Sequence, residues 1–306
     1  MIRPRNEHTI AAEFEISGRG YWSGTPIRLR FRPAMAGSGI QFVRTDLPGR
    51  PCCVASTQTS CGQSMRTNLA SGPATFQMVE HVMAALYALE IDNCTVEADA
   101  EEMPGLDGSS GPIVEAVLAV GTVTQAAARN RFIVDRPLRV GDERNWIEVS
   151  PSETGCASFE YRLDYGDASP IQAQTFTHLL TPKTFCQELA HARTFVTADQ
   201  AAQLRDQGIG SHVTSFDLVI FDRHGSVVDG QLRYPNECAR HKTLDLIGDL
   251  AMSRTDLVGK FVSFRGGHQL NGQLATRLAD FANSSQMSAG TGSQSAPPIM
   301  LRSRAA

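Results

Sequence analysis

Two stretches of helical spacing, each carrying a histidine and each preceded by strand-like segments, constrain the fold of this chain most. Residues 76–92 (FQMVEHVMAALYALEID) and 236–253 (NECARHKTLDLIGDLAMS) repeat apolar residues at the spacing of an amphipathic helix. Residues 25–34 (TPIRLRFRPA) and 158–165 (SFEYRLDY) alternate apolar and polar residues, as half-buried strands do. Because strands precede a histidine-bearing helix in both halves, the pattern predicts a duplicated α+β unit.

The length and the local composition predict two domains. A chain of 306 residues corresponds to about two domains of ordinary size. The polar stretch at residues 125–132 marks the boundary between a domain at residues 1–128 and a second at residues 129–282. From about Asn283 onward the chain is rich in Ser, Gly, Gln and Pro, so we predict a disordered tail over residues 283–306.

The overall charge and the cysteine pattern exclude several classes of protein. A net charge of −4 gives no general attraction to nucleic acid or anionic membranes, although a local basic pocket for a small phosphorylated substrate is compatible with it. The N-terminus has no apolar signal segment, and no apolar run is long enough to span a bilayer. We therefore expect a cytoplasmic protein. Seven irregularly spaced cysteines without a CxxC pair argue against a disulfide framework or a cysteine zinc ribbon.

The second helical stretch contains the first candidate metal ligands. At about 100° per residue, His241, Asp245 and Asp249 fall on one face of a helix. Zinc accepts imidazole nitrogen and carboxylate oxygen, and a His and an Asp one turn apart can reach the same ion. The alternative is an ion pair on a solvated face, although Leu244 and Ile247 on the same helix indicate substantial burial.

Glu80 and His81, on the first helical stretch, are the second candidate pair. A catalytic zinc usually has three protein ligands and an open position for water, so His81 would complete the set with His241 and Asp245. Glu80 could then take a proton from the water. The alternative is a buried structural histidine with Glu80 at the surface.

The segment SFRGGHQLN contributes a third set of candidates. His268 follows two glycines and could be a fourth ligand, a general acid, or a loop histidine without a role. Arg265 could bind phosphate through its planar guanidinium, or could be an ordinary exposed arginine. Dinucleotide-binding, P-loop, HExxH and Gly-x-Ser-x-Gly motifs are all absent from the sequence.

Taken together, these segments resemble the UDP-3-O-acyl-N-acetylglucosamine deacetylases, the LpxC family of lipid A biosynthesis. The resemblance covers residues from about 8 to 282. It rests on VEHVMAALYALEIDN, MPGLDGSSGPIVEAV, ARTF, RHKTLDLIGDL and GGHQLN, which occur in the order and approximate spacing of the family.

The resemblance implies a fold, a reaction and a set of site residues. The fold would be two α+β halves, each a β-sheet packed with helices, with the site between them and an insert in the second half that forms an acyl tunnel. The reaction would be zinc-dependent hydrolysis of the N-acetyl group of a UDP-acyl-glucosamine, releasing acetate. The implied roles are zinc ligands for His81, His241 and Asp245, general base for Glu80, general acid for His268, orienting carboxylate for Asp249, oxyanion donor for Thr194, sugar contact for Phe195, and UDP contacts for Lys242 and Arg265.

Three segments depart from the family pattern. Trp22 stands where a histidine is expected in GRGYWSG, Val196 where a glycine usually follows RTF, and Val213-Thr214 where a Gly-Gly pair is common. The latter two departures lie near the expected acyl tunnel, so they leave the preferred acyl length open. The alternatives are a zinc amidase for another acylated substrate, a non-enzymatic module that binds nucleotide sugar or acyl chain, and iron in place of zinc.

Overall fold

A computed structural model describes residues 5–62 and 65–290 of the chain. Its first half contains ten strands and two helices: β1 (Asn6–Ile10), β2 (Phe14–Arg19), β3 (Pro26–Pro33), β4 (Ile40–Arg44), β5 (Cys52–Val54), β6 (Ser60–Gly62), β7 (Thr67–Ser71), β8 (Ala74–Gln77), α1 (Glu80–Ala88), β9 (Cys94–Ala98), α2 (Gly111–Val120) and β10 (Thr122–Ala128).

The second half contains nine strands and four α-helices. They are β11 (Arg131–Ile133), β12 (Leu138–Gly141), β13 (Trp146–Ser150), β14 (Ser158–Leu163), β15 (Gln174–Leu179), α3 (Pro182–Glu188), β16 (Phe195–Thr197), α4 (Ala198–Asp206), β17 (Val219–Phe221), α5 (Glu237–Leu250), β18 (Asp256–Val258), β19 (Lys260–Phe264) and α6 (His268–Gly290), with a 3-10 turn at Ala251–Ser253.

The two halves have the same sheet topology. The strand order is β2-β3-β9-β4-β5 in the first five-stranded sheet and β12-β13-β19-β14-β15 in the second. In each sheet the central strand, β9 or β19, is the last of the five in sequence and pairs in parallel with β4 or β14; the other neighbours are antiparallel. The predicted α+β fold with two similar halves is therefore confirmed, and helices α1 and α5 occupy equivalent positions within it.

Side-chain burial follows the sequence patterns that predicted these elements. Ile27, Leu29 and Phe31 are buried on β3, and the residues between them are exposed. Helix α1 is buried along almost its whole length, and α5 is buried except at Arg240 and Lys242. The two helices pack against each other, so the histidine-bearing helices of the two halves form one buried layer.

Two predicted segments differ in their bounds from the structure: the first helix, which spans only Glu80–Ala88, and the tail. The predicted helix over residues 76–92 begins only at Glu80, because Phe76 and Gln77 pair with Leu69 and Asn68 in a β-hairpin. The predicted disordered tail begins too early, because α6 continues to Gly290. Extending an existing helix adds one hydrogen bond for each residue fixed, so a polar sequence can continue it. Residues 291–306 lie outside the described part of the chain.

Over residues 5–62 and 65–290, every helix is too short or too polar to cross a bilayer. All seven cysteines are free thiols, which agrees with the absence of a disulfide framework.

A partly buried ion network joins the residue before β1 to both halves. Arg5 donates to Asp92 at 2.6 and 2.9 Å and to Asp256 at 2.7 and 2.8 Å. Arg129 lies 2.9 Å from Asp92, which also accepts the His8 backbone N–H at 2.8 Å. The Asp92 side chain is 2% exposed, so its charge depends on these partners rather than on water.

We expect Asp92→Ala to lower the free energy of unfolding by about 2–3 kcal/mol, because it leaves the half-buried Arg5 and Arg129 with Asp256 alone and the His8 backbone N–H without its acceptor. Urea denaturation of the full chain measures this change. Glu13→Ala is the matched control, because Glu13 pairs with arginines at the surface and should cost at most about 1 kcal/mol. Equal costs for the two variants would contradict a structural role for the network.

Candidate metal centre and active site

The facing helices bring the three candidate metal ligands together. His81 lies in the first turn of α1, and His241 and Asp245 lie one turn apart on α5. The Nε2 atoms of His81 and His241 lie 3.6 and 3.4 Å from Asp245 Oδ1. One ligand atom from each residue falls within 4.8 Å of the others, so a single cation could contact all three.

The hydrogen bonding of this group fits a divalent cation. Asp245 Oδ1 is buried, and no hydrogen-bond donor reaches it among the residues that the structure describes. Asp245 Oδ2 accepts from Lys242 Nζ at 2.7 Å. His241 Nδ1 donates to the Ala192 carbonyl at 3.0 Å, which fixes its tautomer and leaves the Nε2 lone pair free. A buried carboxylate oxygen that faces two imidazole nitrogens and lacks a donor is the arrangement that a zinc-like ion would complete.

The charge states of these side chains also suit metal binding, which requires neutral imidazole and ionised carboxylate. Burial lowers the pKa of His241 to about 4, although the nearby Asp245 charge opposes the shift. Burial opposes the ionisation of Asp245, but His241 and Lys242 outweigh it and hold the pKa of that carboxyl well below its ordinary value.

The candidate proton-transfer residues flank this centre. Glu80 is 3% exposed, and burial raises the pKa of its carboxyl. His268 begins α6, with Nδ1 2.9 Å from Asp249 Oδ2 and Nε2 3.7 Å from Asp245 Oδ2. Burial lowers the pKa of His268, but the charge and hydrogen bond of Asp249 outweigh it and raise the pKa to about 9. His268 is therefore an imidazolium at neutral pH, and its Nε2–H faces the centre.

Thr67, at the start of β7, was not identified from the sequence. Its backbone N–H donates to Glu80 Oε2 at 3.0 Å, and its hydroxyl donates to Asp249 Oδ1 at 2.6 Å. A single threonine in a strand carries no motif, so only the tertiary structure reveals these contacts.

Gly248 is a second residue whose importance the sequence did not reveal. A Cβ atom on Gly248 would lie 2.1 Å from the carbonyl oxygen of Glu80 and 3.2 Å from the backbone nitrogen of Ala84. Only glycine therefore allows α5 to approach the start of α1 this closely. This close approach sets the separation between His81 and Asp245.

We expect Gly248→Ala to force the two helices apart, lower the free energy of unfolding by about 1–3 kcal/mol and weaken metal binding. Denaturation and metal titration of the full chain measure the two effects. Gly272→Ala is the matched control, because it lies in α6 with no atom within 4 Å of the added Cβ. If Gly248→Ala bound metal as tightly as Gly272→Ala, the close approach would have no role in the centre.

A cavity of about 430 Å³ opens beside the three ligands. Glu80, His81, His268 and Lys242 line its polar side. Apolar side chains from β16, α4, β17 and neighbouring segments line much of the remainder: Ile171, Phe195, Val196, Ala201, Leu204, Ile209, Val213, Leu218 and Ile220. The second-half segment between α3 and α5 therefore supplies most of the apolar wall.

The remaining predicted site residues, and Trp22, have different environments. Thr194 lines the cavity, with its backbone N–H bonded to the Gly108 carbonyl at 2.8 Å. The Phe195 ring lies edge-on to His241 at 6.2 Å. Arg265 pairs with Asp164 at 2.9 Å and does not line the cavity. Trp22 does line it, and the Arg66 guanidinium lies 4.4 Å above its ring.

Comparisons with known proteins agree with this architecture. The family model described as UDP-3-O-acyl N-acetylglycosamine deacetylase matches residues 7–280. A protein named UDP-3-O-acyl-N-acetylglucosamine deacetylase from Anaeromyxobacter sp. (strain Fw109-5) is 35% identical over 280 residues, covering 90% of this chain and 89% of the relative. Proteins of the same name from Brucella ovis and Brucella canis are each 36% identical over 274 residues, covering 89% of this chain and 94% of the relative. The chain belongs to the LpxC family of UDP-3-O-acyl-N-acetylglucosamine deacetylases.

Proposed function

We propose that this protein is a zinc-dependent amidase that removes the N-acetyl group from UDP-3-O-acyl-N-acetylglucosamine, a step of lipid A biosynthesis. The observation that carries the proposal is the buried His81, His241 and Asp245 group, with its unpartnered Oδ1, between Glu80 and His268. A zinc ion held there would polarise the acetyl carbonyl and acidify a water molecule.

The protein groups would then move the protons of amide hydrolysis. The Glu80 carboxylate accepts a proton from the attacking water as the carbonyl carbon becomes tetrahedral. The Thr194 hydroxyl donates a hydrogen bond to the developing oxyanion. The C–N bond breaks as His268 Nε2–H protonates the departing sugar nitrogen, because an amide nitrogen leaves as an amine rather than as an anion. Acetate and the free glucosamine derivative are the products.

The cavity lining supports an acylated nucleotide sugar as the substrate. Its apolar wall suits the 3-O-acyl chain, and Phe195 lies beside the metal-binding group, where the sugar would bind. We assign Lys242 and Arg265 to the UDP portion. Lys242 pairs with Asp245 and Arg265 pairs with Asp164, so UDP binding would require the two cations to exchange partners.

The direct test is acetate release from UDP-3-O-acyl-N-acetylglucosamine by the purified full chain. We expect turnover that a chelator abolishes and that added zinc restores. Adding ferrous iron in a parallel sample determines whether iron also supports the reaction. Zinc binding without turnover of this substrate would contradict the proposal and favour either a different acylated substrate or a binding module.

We assign Val213 and Tyr21 to the acyl end of the cavity. Both residues line the active-site cavity, and both also line a neighbouring cavity of about 490 Å³ that contains Arg19, His212 and Asp217. The Tyr21 hydroxyl donates to the Asp217 carbonyl at 2.5 Å, which fixes its ring between the two cavities. These two side chains therefore separate the apolar wall from a more polar cavity.

We expect Val213→Gly to shift the acyl preference toward longer chains, because it opens this partition. Each additional buried methylene contributes about 0.8 kcal/mol, so kcat/KM should rise roughly fourfold per methylene relative to the wild type. A series of substrates that differ only in 3-O-acyl length measures the shift. Val213→Ile keeps the partition closed and is the control; the same length profile in both variants would show that Val213 does not limit the chain.

A further inference from the structure

Thr67 contacts both sides of the proposed proton-transfer machinery without lining the cavity. It is 2% exposed, and its backbone N–H and side-chain hydroxyl point to different carboxylates. The N–H donates to Glu80 Oε2 at 3.0 Å, and the hydroxyl donates to Asp249 Oδ1 at 2.6 Å. One buried residue therefore links the proposed general base to the carboxylate that holds the proposed general acid.

The donors around Asp249 leave its carboxylate little freedom to rotate. Oδ2 accepts from His268 Nδ1 at 2.9 Å and from Asn271 Nδ2 at 2.8 Å, and the Thr67 hydroxyl occupies Oδ1. Each donor is buried, and a hydrogen bond to an ionised group is among the stronger ones in proteins. Without the hydroxyl, Oδ1 would lose its donor, and rotation of the carboxylate would carry the His268 ring with it.

We propose that Thr67 is a positioning residue that holds Glu80 and the Asp249–His268 pair in fixed relation to each other, an inference that rests on the proposed function. Thr67 does not line the cavity or belong to the metal-binding group; its hydroxyl bonds Asp249 and also lies 3.3 Å from His268 Nδ1, so it acts through the Asp249–His268 pair and Glu80. Its hydroxyl is the part that a side-chain substitution can remove, because the N–H bond to Glu80 belongs to the backbone and remains.

The test compares Thr67→Val, which keeps the shape and removes the hydroxyl, with Thr67→Ser, which keeps the hydroxyl. Loss of a hydrogen bond to a buried charged group should lower kcat by about 10- to 100-fold in Thr67→Val, with KM and metal content unchanged. Thr67→Ser should stay close to the wild type. Thr255→Val is the matched control, because it also removes a buried threonine hydroxyl, which there donates to the Asn130 carbonyl.

A proton NMR measurement separates this inference from the proposed activity. The His268 Nδ1–H resonance, identified by its loss in His268→Gln, should shift and exchange faster with water in Thr67→Val but not in Thr67→Ser, whether or not the protein turns over the substrate. If Thr67→Val does not fold, Thr67→Ala is compared with Thr67→Ser in the same way. An unmoved resonance, a wild-type kcat in Thr67→Val, or equal losses in the Val and Ser variants would overturn the proposal.

Discussion

Glu80→Gln should lower kcat by about 10²- to 10⁴-fold while the protein still binds its metal ion. The amide has nearly the same shape as the carboxylate, and its oxygen can still accept the Thr67 N–H. It cannot accept a proton from water, however, so the chemical step loses its base. Steady-state kinetics on UDP-3-O-acyl-N-acetylglucosamine, together with metal analysis of the same preparation, measure both parts of the expectation.

A surface glutamate provides the control for Glu80→Gln. Glu115 on α2 has a side chain that is 70% exposed, so Glu115→Gln should have the activity of the wild type. If Glu80→Gln turned over at the wild-type rate, Glu80 would not be the base. If it lost the metal, Glu80 would contribute to the centre as a ligand or through its packing.

His268→Gln should lower kcat by a similar factor and remove the alkaline limb of the pH profile. The imidazolium is the donor form, so the activity of the wild type should fall as the pH rises through the pKa of His268, which is about 9. A cation bound to Asp245 would neutralise part of that stabilising charge and so shift this limb to lower pH. At the other end, activity should fall as the pH drops and Glu80 takes up a proton.

The same variant distinguishes the roles that the sequence left open for His268. Metal content equal to that of the wild type supports the general acid, whereas loss of metal would identify a fourth ligand. His224→Gln is the control, because His224 is exposed and outside the cavity. An alkaline limb that persists in His268→Gln would assign that ionisation to another group.

The helices and strands that position the site could be predicted where apolar residues repeat regularly in the sequence. The helix over residues 236–253 and the strand at residues 25–34 each have a buried face that repeats at the correct spacing, and both occur in the structure. The pairing of His241 with Asp245 follows from helix geometry alone, because one turn separates them. The duplicated arrangement could also be predicted from the sequence, because strand-like segments precede a histidine-bearing helix in both halves.

The remaining features depend on contacts between segments distant in sequence. Met78 precedes α1 with a φ of +64°, and it turns the chain from the β8 hairpin into the helix so that Glu80 and His81 fall in the first turn. Helical periodicity placed Met78 inside the helix instead. Gly248 and Thr67 matter because of the backbone and carboxylate that they face, and neither neighbour is close in the sequence. Nothing local at these positions signals such a contact.

Anomalous diffraction at the zinc edge, from crystals of the full chain grown with zinc, tests whether His81, His241 and Asp245 bind one zinc ion. We expect one peak per chain at about 2.0–2.2 Å from the Nε2 atoms of His81 and His241 and from a carboxylate oxygen of Asp245. No peak between these three side chains, or a zinc ion bound only elsewhere on the protein, would contradict this expectation.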